Sequence, residues 1–240
     1  PLWSRGLGDV YKRQPYHSCC PTGAIFLPTP GRSMLERFRQ GWQKVMRPLA
    51  SGLLAMHVTP DMVTWIGTIG AVVMALVCLP QGWLWQGALL ITLFIFSDSL
   101  DGNMARQLGR TSQWGSFLDS TLDRFGDGAV FAGIALYYAG PGHSTLWCGV
   151  ALAALILSLV TSYVRAKAES LSMDAKMGIA TRADRLLISL VAVEITGLAR
   201  VGVLAHWFCW ALPVGLCYLT VAGAITVGQR MTAVKRQSES

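Results

Sequence analysis

Apolar residues form six long runs in this 240-residue chain, and polar or helix-breaking residues separate the runs. Each run is close to the ~20 residues that an α-helix needs to cross the hydrocarbon core of a bilayer. Pro80 ends the first run, and Gly140 and Pro141 follow the third, as is common at helix ends. The pattern therefore predicts an all-α integral membrane protein with six transmembrane helices. We place these helices at residues 61–80, 83–106, 115–139, 145–169, 183–199 and 203–229.

The segment before the first run divides into two parts. In residues 34–57 apolar side chains recur at helical spacing, and Arg and Lys occupy the other face. This pattern predicts an N-terminal amphipathic helix in the plane of the membrane interface, with a packed soluble helix as the alternative. Residues 1–33 contain Gly, Pro, Ser and mixed charges. We expect them to be disordered or non-native, with Met34 as the natural start; a native disordered tail is the alternative. One membrane domain would then cover 34–236, followed by a tail at 237–240.

Composition supports a membrane protein. Hydrophobic residues make up 52% of the chain and charged residues 14%, against roughly 25% charged residues in soluble domains. The apolar content excludes a disordered chain. The six cysteines include no Cys-x-x-Cys pair and no zinc-type spacing with histidine.

The net charge of +7 is explained by topology. With a cytoplasmic N-terminus and six crossings, Arg200 is the one basic residue in a predicted outer loop, and the other 19 of the 20 Lys and Arg lie on or near the inner side. This distribution follows the positive-inside rule. We therefore expect a cell-membrane protein in contact with membrane lipids, and no nucleic-acid partner.

Five aspartates lie close together at the predicted cytoplasmic ends of the second and third helices. Asp98 and Asp101 are three residues apart, Asp119 and Asp123 are four apart, and Asp127 follows after another four. Placing one charged carboxylate in a bilayer costs at least about 2.5–3.5 kcal/mol, so a cation must compensate. Asp127 could pair with Arg124 or tune Asp123.

The spacing places each aspartate pair on one helix face. The two predicted helices are joined by about eight residues, so the faces can converge. Convergent carboxylates without Cys or His favour Mg²⁺, with Mn²⁺ as the alternative, and four of them could neutralise two such ions. A buried ion-pair network with Arg106, Arg110 and Arg124 that only locks the helices is the structural alternative.

The aspartate pairs are part of a longer motif. It reads Asp98-Ser-Leu-Asp101-Gly102-Asn-Met-Ala105-Arg106, then eight residues, then Gly115-Ser-Phe-Leu-Asp119-Ser-Thr-Leu-Asp123. This motif resembles the signature of the CDP-alcohol phosphotransferase family, DxxDGxxAR(x8)GxxxDxxxD, at every fixed position. The six-helix pattern with an interfacial helix extends the resemblance over about 34–236.

The resemblance implies roles for the motif residues. Asp98, Asp101 and Asp119 would bind two divalent ions, and Asp123 would both contact metal and act as the general base. The CDP group would contact residues of the motif and of the start of the first helix. These residues are Gly102, Arg106, Ser112, Asp61, Met62, Val63 and Thr64. Thr59, Pro60 and Asp61 could otherwise be an ordinary helix cap.

A second cluster of polar residues lies at the cytoplasmic ends of helices four, five and six. It consists of Ser162, Arg165, Lys167, Arg182, Arg185 and Arg230. Several guanidinium groups favour a phosphorylated acceptor, because arginine binds phosphate in a fork geometry. Membrane anchoring by positive charge is the alternative. Residues 161–169 and 178–185 resemble actinobacterial members of the family that use an inositol phosphate. That resemblance implies that Ser162, Arg165, Arg185 and Arg230 bind the acceptor phosphate, with Arg182 as a further candidate.

The resemblance thus implies a transferase at the cytoplasmic face. It would move the phosphatidyl group of CDP-diacylglycerol to a hydroxyl of an inositol phosphate, giving phosphatidylinositol phosphate and CMP. A synthase of phosphatidylglycerol phosphate that uses glycerol 3-phosphate is the alternative within the family. Outside the family, a non-enzymatic membrane scaffold or a cation transporter is the alternative, although transporters usually place their ion sites at the midplane. The resemblance also implies a homodimer.

Overall fold

The structure is a computed structural model that describes residues 48, 51–53, 56, 58–107, 113–175, 177–179 and 181–239. Within residues 97–107, burial is described only for Gly102 and Met104. All regular elements in the described ranges are helical, which confirms the all-α class. Residues 48 and 51–53 are helical, while the rest of the predicted interfacial helix and the whole of 1–33 lie outside the described residues.

The described residues form six long helices. They are α1 (Pro60–Cys78), α2 (Leu84–Gln107), α3 (Gln113–Ala139), α4 (Thr145–Ser170), α5 (Arg182–Arg200) and α6 (Ala211–Ser238). A short 3₁₀ helix, His206–Trp210, precedes α6.

The last helix differs from the prediction at both ends. It was expected at 203–229, but it begins at Ala211 and ends at Ser238. Gly202 has a φ of +84° in the turn after α5, so no helix continues there. Within the expected tail at 237–240, Gln237 is helical and its side-chain amide oxygen accepts a hydrogen bond from the Asp174 backbone N–H at 2.9 Å.

The helices pack into a closed ring in the order α1, α2, α5, α6, α4, α3. Buried apolar side chains fill the space between them, among them Ile91 of α2, Ile134 of α3 and Leu216 of α6. Glycines allow the closest contacts: a Cβ at Gly133 would collide with the Ala75 carbonyl oxygen of α1. Small residues at helix contacts are typical of membrane proteins, in which backbones approach closely.

Capping residues define where the helices begin. Thr59 caps α1 by accepting a hydrogen bond from the Met62 backbone N–H, and Pro60 is the first helical residue, so this stretch does form the helix cap that the sequence left as an alternative. Thr181 caps α5 in a capping box with Asp184. The second cap fixes the position of the arginines in the first turn of α5.

The outer surface of the ring is apolar. Large side chains such as Ile66, Leu93, Ile156 and Val221 are 57–65% exposed on four different helices. In the part of the chain that the structure describes, three helical segments are long and apolar enough to cross a membrane, namely Pro60–Cys78, Thr145–Ser170 and His206–Ser238. The chain is therefore a membrane protein, and the number of six spans remains a prediction.

Candidate active site

Three carboxylates follow one face of α3 at four-residue spacing. Asp119 is exposed, the Asp123 side chain is 15% exposed, and that of Asp127 is only 3% exposed. The row thus runs from the surface into the ring of helices. Because burying an unpaired carboxylate is costly, the inner two require cationic partners.

Arg182, the first residue of α5, supplies that partner. Its Nη2 lies 2.6 Å from Oδ1 of Asp123, and its Nε donates a hydrogen bond to Oδ1 of Asp127 at 3.2 Å. One guanidinium therefore bridges two carboxylates that are one helical turn apart. The sequence suggested Arg124 as a partner of Asp127; Arg124 lies within electrostatic range, but Arg182 makes the hydrogen bond.

Arg185 lies one turn further along α5 and is 4% exposed. It is within electrostatic range of Asp127, Arg230 and Arg182. The predicted acceptor residues of α5 are thus neighbours of the carboxylate row on α3, and Arg230 of α6 lies within electrostatic range of Arg185. This end of the ring combines carboxylates with several guanidinium groups.

Arg230 of α6 binds backbone groups of two other segments. Its Nη1 donates to the Thr161 carbonyl of α4 at 2.6 Å, and its Nε donates to the Met177 carbonyl of the α4–α5 loop at 2.9 Å. The Thr226 hydroxyl accepts a hydrogen bond from the Ile179 backbone N–H at 3.3 Å. These contacts attach the α4–α5 loop to α6 and so support the start of α5.

The other two predicted acceptor residues are on α4. Arg165 is exposed and forms an ion pair with Glu169 at 2.9 Å, and Ser162 is half-buried. An exposed pair of this kind contributes little to stability. Arg165 is also within electrostatic range of Arg230, so it lies near the same cluster.

A small cavity of about 30 Å³ lies between α1, α2, α3 and α5. Thr64 and Thr68 of α1, Phe94 of α2, Asp123 and Arg182 line it. Among the four predicted nucleotide residues on α1, the structure thus brings Thr64 beside Asp123. Of the others, Val63 is buried, Asp61 is half-buried and Met62 is 51% exposed.

Part of the predicted site lies outside the described residues. Asp98, Asp101 and Arg106 are helical in α2, but their side chains are among the undescribed ones, as is all of Ser112. A Cβ at Gly102 would meet no described atom within 4 Å, so the described residues leave open space beside this motif glycine.

The described donor set suits a hard divalent cation. Asp119 and Asp123 present carboxylate oxygens from one face of α3, the ligand type that Mg²⁺ and Mn²⁺ prefer. Among residues with described side chains there is no group of three or more His, Cys, Asp or Glu that could hold a metal, and the predicted ligands Asp98 and Asp101 lie outside that set. Convergence of the four motif aspartates therefore remains a prediction.

Sequence reasoning missed the residues that support the site. Asp127 had no firm role, and the contacts of Thr226, Gln237 and Thr161 with distant segments were not expected. These hydrogen bonds join residues 47–69 positions apart. Short-range spacing carries no signal for contacts over such distances.

Comparisons with known proteins identify the family. Residues 57–232 match the family model described as CDP-alcohol phosphatidyltransferase. The chain is 74% identical over 207 residues to the phosphatidylinositol phosphate synthase of Cutibacterium acnes, covering 86% of this chain and 100% of the relative. It is 45% identical over 218 residues to the synthase of the same name from Streptomyces avermitilis, covering 90% and 88%.

Solved structures agree with these relatives. The crystal structure of Mycobacterium tuberculosis phosphatidylinositol phosphate synthase with CDP-DAG bound matches with a TM-score of 0.73 and 36% identity, covering 80% of this chain and 94% of that one. The same enzyme in complex with manganese and citrate matches with a TM-score of 0.71 and 36% identity, covering 79% and 88%. The manganese in that relative is consistent with the predicted divalent cofactor.

The motif aspartates had predicted this family, and the matched region contains all of them together with the arginine cluster. The predicted fold class and enzyme class are confirmed by the same comparisons. The chain therefore belongs to the CDP-alcohol phosphatidyltransferase family and is a membrane enzyme of the transferase class.

Proposed function

We propose that the chain transfers the phosphatidyl group of CDP-diacylglycerol to a hydroxyl of an inositol phosphate, giving phosphatidylinositol phosphate and CMP. The observation that carries this proposal is the contact between the Arg182 guanidinium and the Asp123 carboxylate, 2.6 Å apart. A base for the hydroxyl and a binding group for phosphate lie side by side, as a phosphorylated alcohol requires. The high identity to synthases of this name supports the same acceptor.

In the proposed reaction Asp123 accepts the proton of the acceptor hydroxyl. The hydroxyl oxygen forms a bond to the phosphorus that carries the diacylglycerol, the pyrophosphate P–O bond breaks, and CMP leaves. Asp98, Asp101, Asp119 and Asp123 would hold two divalent ions, Mg²⁺ or Mn²⁺. When bound, such ions neutralise negative charge on phosphate oxygens.

The two substrates would bind to different sets of residues around Asp123. We assign the CDP group to Asp61, Met62, Val63, Thr64, Gly102, Arg106 and Ser112. The position of Thr64 in one cavity with Asp123 supports this assignment. We assign the acceptor phosphate to Ser162, Arg165, Arg182, Arg185 and Arg230. Arg230 also holds the α4–α5 loop, so its contribution combines positive charge with support of that loop.

We also propose that this end of the ring faces the cytoplasm and that the protein is a homodimer. The concentration of arginines at the ends of α4, α5 and α6 supports the orientation, since positive charge accumulates on the cytoplasmic side. The homodimer rests on the family resemblance. Accessibility of Arg165→Cys to a membrane-impermeant thiol reagent in sealed inverted vesicles, with the native cysteines replaced, tests the orientation.

CMP release by the full chain in lipid nanodiscs tests the reaction. With CDP-diacylglycerol, Mg²⁺ and one acceptor at a time, we expect CMP with inositol phosphate and none with inositol or glycerol 3-phosphate. Release with glycerol 3-phosphate but not with inositol phosphate would reject the proposed acceptor. Glu239→Gln, which changes an exposed carboxylate 3.8 Å from Lys235, is a matched control and should keep full activity.

A further inference from the structure

Asp127 has no part in the proposed reaction, although it is the most buried of the three carboxylates on α3. Its side chain is 3% exposed, and it is surrounded by Arg124, Arg182 and Arg185. A carboxylate that is buried at this depth is costly unless it is paired and hydrogen-bonded. It lies one helical turn from Asp123 and contacts the same arginine, so its structural role concerns that arginine.

The bridge by Arg182 uses two different nitrogens. Nε bonds Asp127 and Nη2 bonds Asp123, so the guanidinium can lose one partner while it keeps the other. The backbone of Arg182 is held in place because Thr181 and Asp184 form the capping box of α5. The side chain therefore approaches both carboxylates from a fixed point.

The two carboxylates differ in access. Asp123 lines the cavity next to α1 and α2, whereas Asp127 lies deeper in the ring. The 2.6 Å ion pair with Arg182 uses Oδ1 of Asp123, one of the two oxygens of that carboxylate. Because Nε is bonded to Asp127, Arg182 keeps one anionic partner even when a cation takes Asp123.

We propose that Asp127 is a positioning residue that keeps the Arg182 guanidinium beside Asp123, where it binds the phosphate of the acceptor. This inference rests on the proposed function, because it requires a phosphorylated acceptor. Asp127 holds the Nε side of the guanidinium, and the Nη2 side binds the phosphate when a divalent ion takes Asp123.

This arrangement contributes to specificity. The guanidinium held by Asp127 offers a planar fork to a phosphate, whereas water or an unphosphorylated polyol provides no anionic partner for it. Asp127 on α3 thus supports recognition of the acceptor phosphate by α5.

Four forms of the full chain in nanodiscs test the proposal: wild type, Asp127→Asn, Arg182→Gln and the double variant. We expect Asp127→Asn to raise the KM for inositol phosphate about tenfold, the effect of one lost charge-assisted hydrogen bond, with the KM for CDP-diacylglycerol within about twofold. In the Arg182→Gln background the same change should have no further effect, because Asp127 acts through Arg182. An equal increase in both backgrounds would overturn the proposal.

Binding of Mn²⁺ alone, followed by the EPR signal of the free ion, provides a readout without turnover. Arg182→Gln should tighten binding about tenfold, since the guanidinium no longer competes for Asp123. Asp127→Asn should weaken binding, because Arg182 then keeps Asp123 as its partner, and the double variant should match Arg182→Gln. Weaker binding by the same factor in both backgrounds would mean that Asp127 acts by its own charge, contrary to the proposal.

The two readouts separate the possible failures. If the chain does not use inositol phosphate, the kinetic test is lost, but the Mn²⁺ cycle still measures whether Asp127 acts through Arg182. If inositol phosphate is turned over and the cycle is additive, the proposed function stands and the role of Asp127 is wrong. If Asp127→Asn does not fold, Arg182→Lys is used in its place. The ammonium of lysine lacks the planar fork of a guanidinium, so we expect this variant to raise the acceptor KM about tenfold. An unchanged KM would overturn the proposal.

Discussion

The arginines at the two ends of the helix ring have different surroundings. At one end Arg182 lies between two carboxylates, and Arg185 and Arg230 are buried nearby. At the other end Arg200 is exposed and lies over the Tyr137 ring, 5.2 Å from its centroid. Buried ionic groups cost folding free energy unless they are well paired, whereas an exposed arginine over an aromatic ring contributes only modestly. The comparison favours the end with buried charge as the site of the proposed reaction.

Removal of the proposed base, Asp123, should have the largest effect of all the substitutions, and it should act on catalysis at the end with buried charge. We expect Asp123→Asn to lower the rate of CMP release about 10²–10⁴-fold, the usual contribution of a general base. The variant should still elute from size exclusion as the wild type does, because asparagine preserves the shape of the side chain. A loss below about threefold would remove Asp123 from the chemistry.

Loss of the two backbone hydrogen bonds made by Arg230 should have the next largest effect. Arg230→Gln leaves the Thr161 and Met177 carbonyls without their charged donor. We expect a loss of about 2–3 kcal/mol in unfolding free energy, since hydrogen bonds to charged groups contribute about 1.5–3 kcal/mol. Chemical unfolding in detergent measures it. Equal stability would show that the α4–α5 loop does not depend on this residue.

Close packing between α1 and α3 should be independent of the charged end. Gly133→Ala would place a methyl group against the Ala75 carbonyl oxygen, and we expect a loss of about 1–2 kcal/mol in stability from overpacking. Gly149→Ala on α4 is the matched control, because a Cβ there meets no atom within 4 Å. The contrast in unfolding midpoint between the two variants checks the packing, and similar midpoints would contradict it.

The smallest effect is expected at the opposite end. Arg200→Gln removes the cation over Tyr137 and should cost about 0.5–1 kcal/mol. Both substrate KM values should stay unchanged in the CMP-release assay. A large increase in the KM for inositol phosphate would mean that the two ends do not have separate roles.

Local spacing predicted much of the fold and of the carboxylate row. The six apolar runs correspond to α1–α6, and Asp119 and Asp123 share one face of α3 as i,i+4 spacing requires. The start of α6 was not predicted, because apolar content does not distinguish the 3₁₀ turn at His206–Trp210 from a continuing helix.

Partners of the arginines could not be predicted in the same way. The spacing of Arg182 and Arg185 indicated a phosphate site, but the bond from Arg182 to Asp127 joins residues 55 positions apart. The contact of Arg230 with Thr161 joins residues 69 positions apart. Such pairs depend on which helices are neighbours in the ring, and residue type and short-range spacing do not determine that order.

The most direct test of the account is an anomalous difference map from crystals of the full chain grown with Mn²⁺. We expect Mn²⁺ between α2 and α3, within coordinating distance of Asp98, Asp101, Asp119 and Asp123, with Arg182 displaced from Asp123 but still bonded to Asp127. Aspartates of α2 and α3 that point away from each other, with no Mn²⁺ between them, would contradict the account.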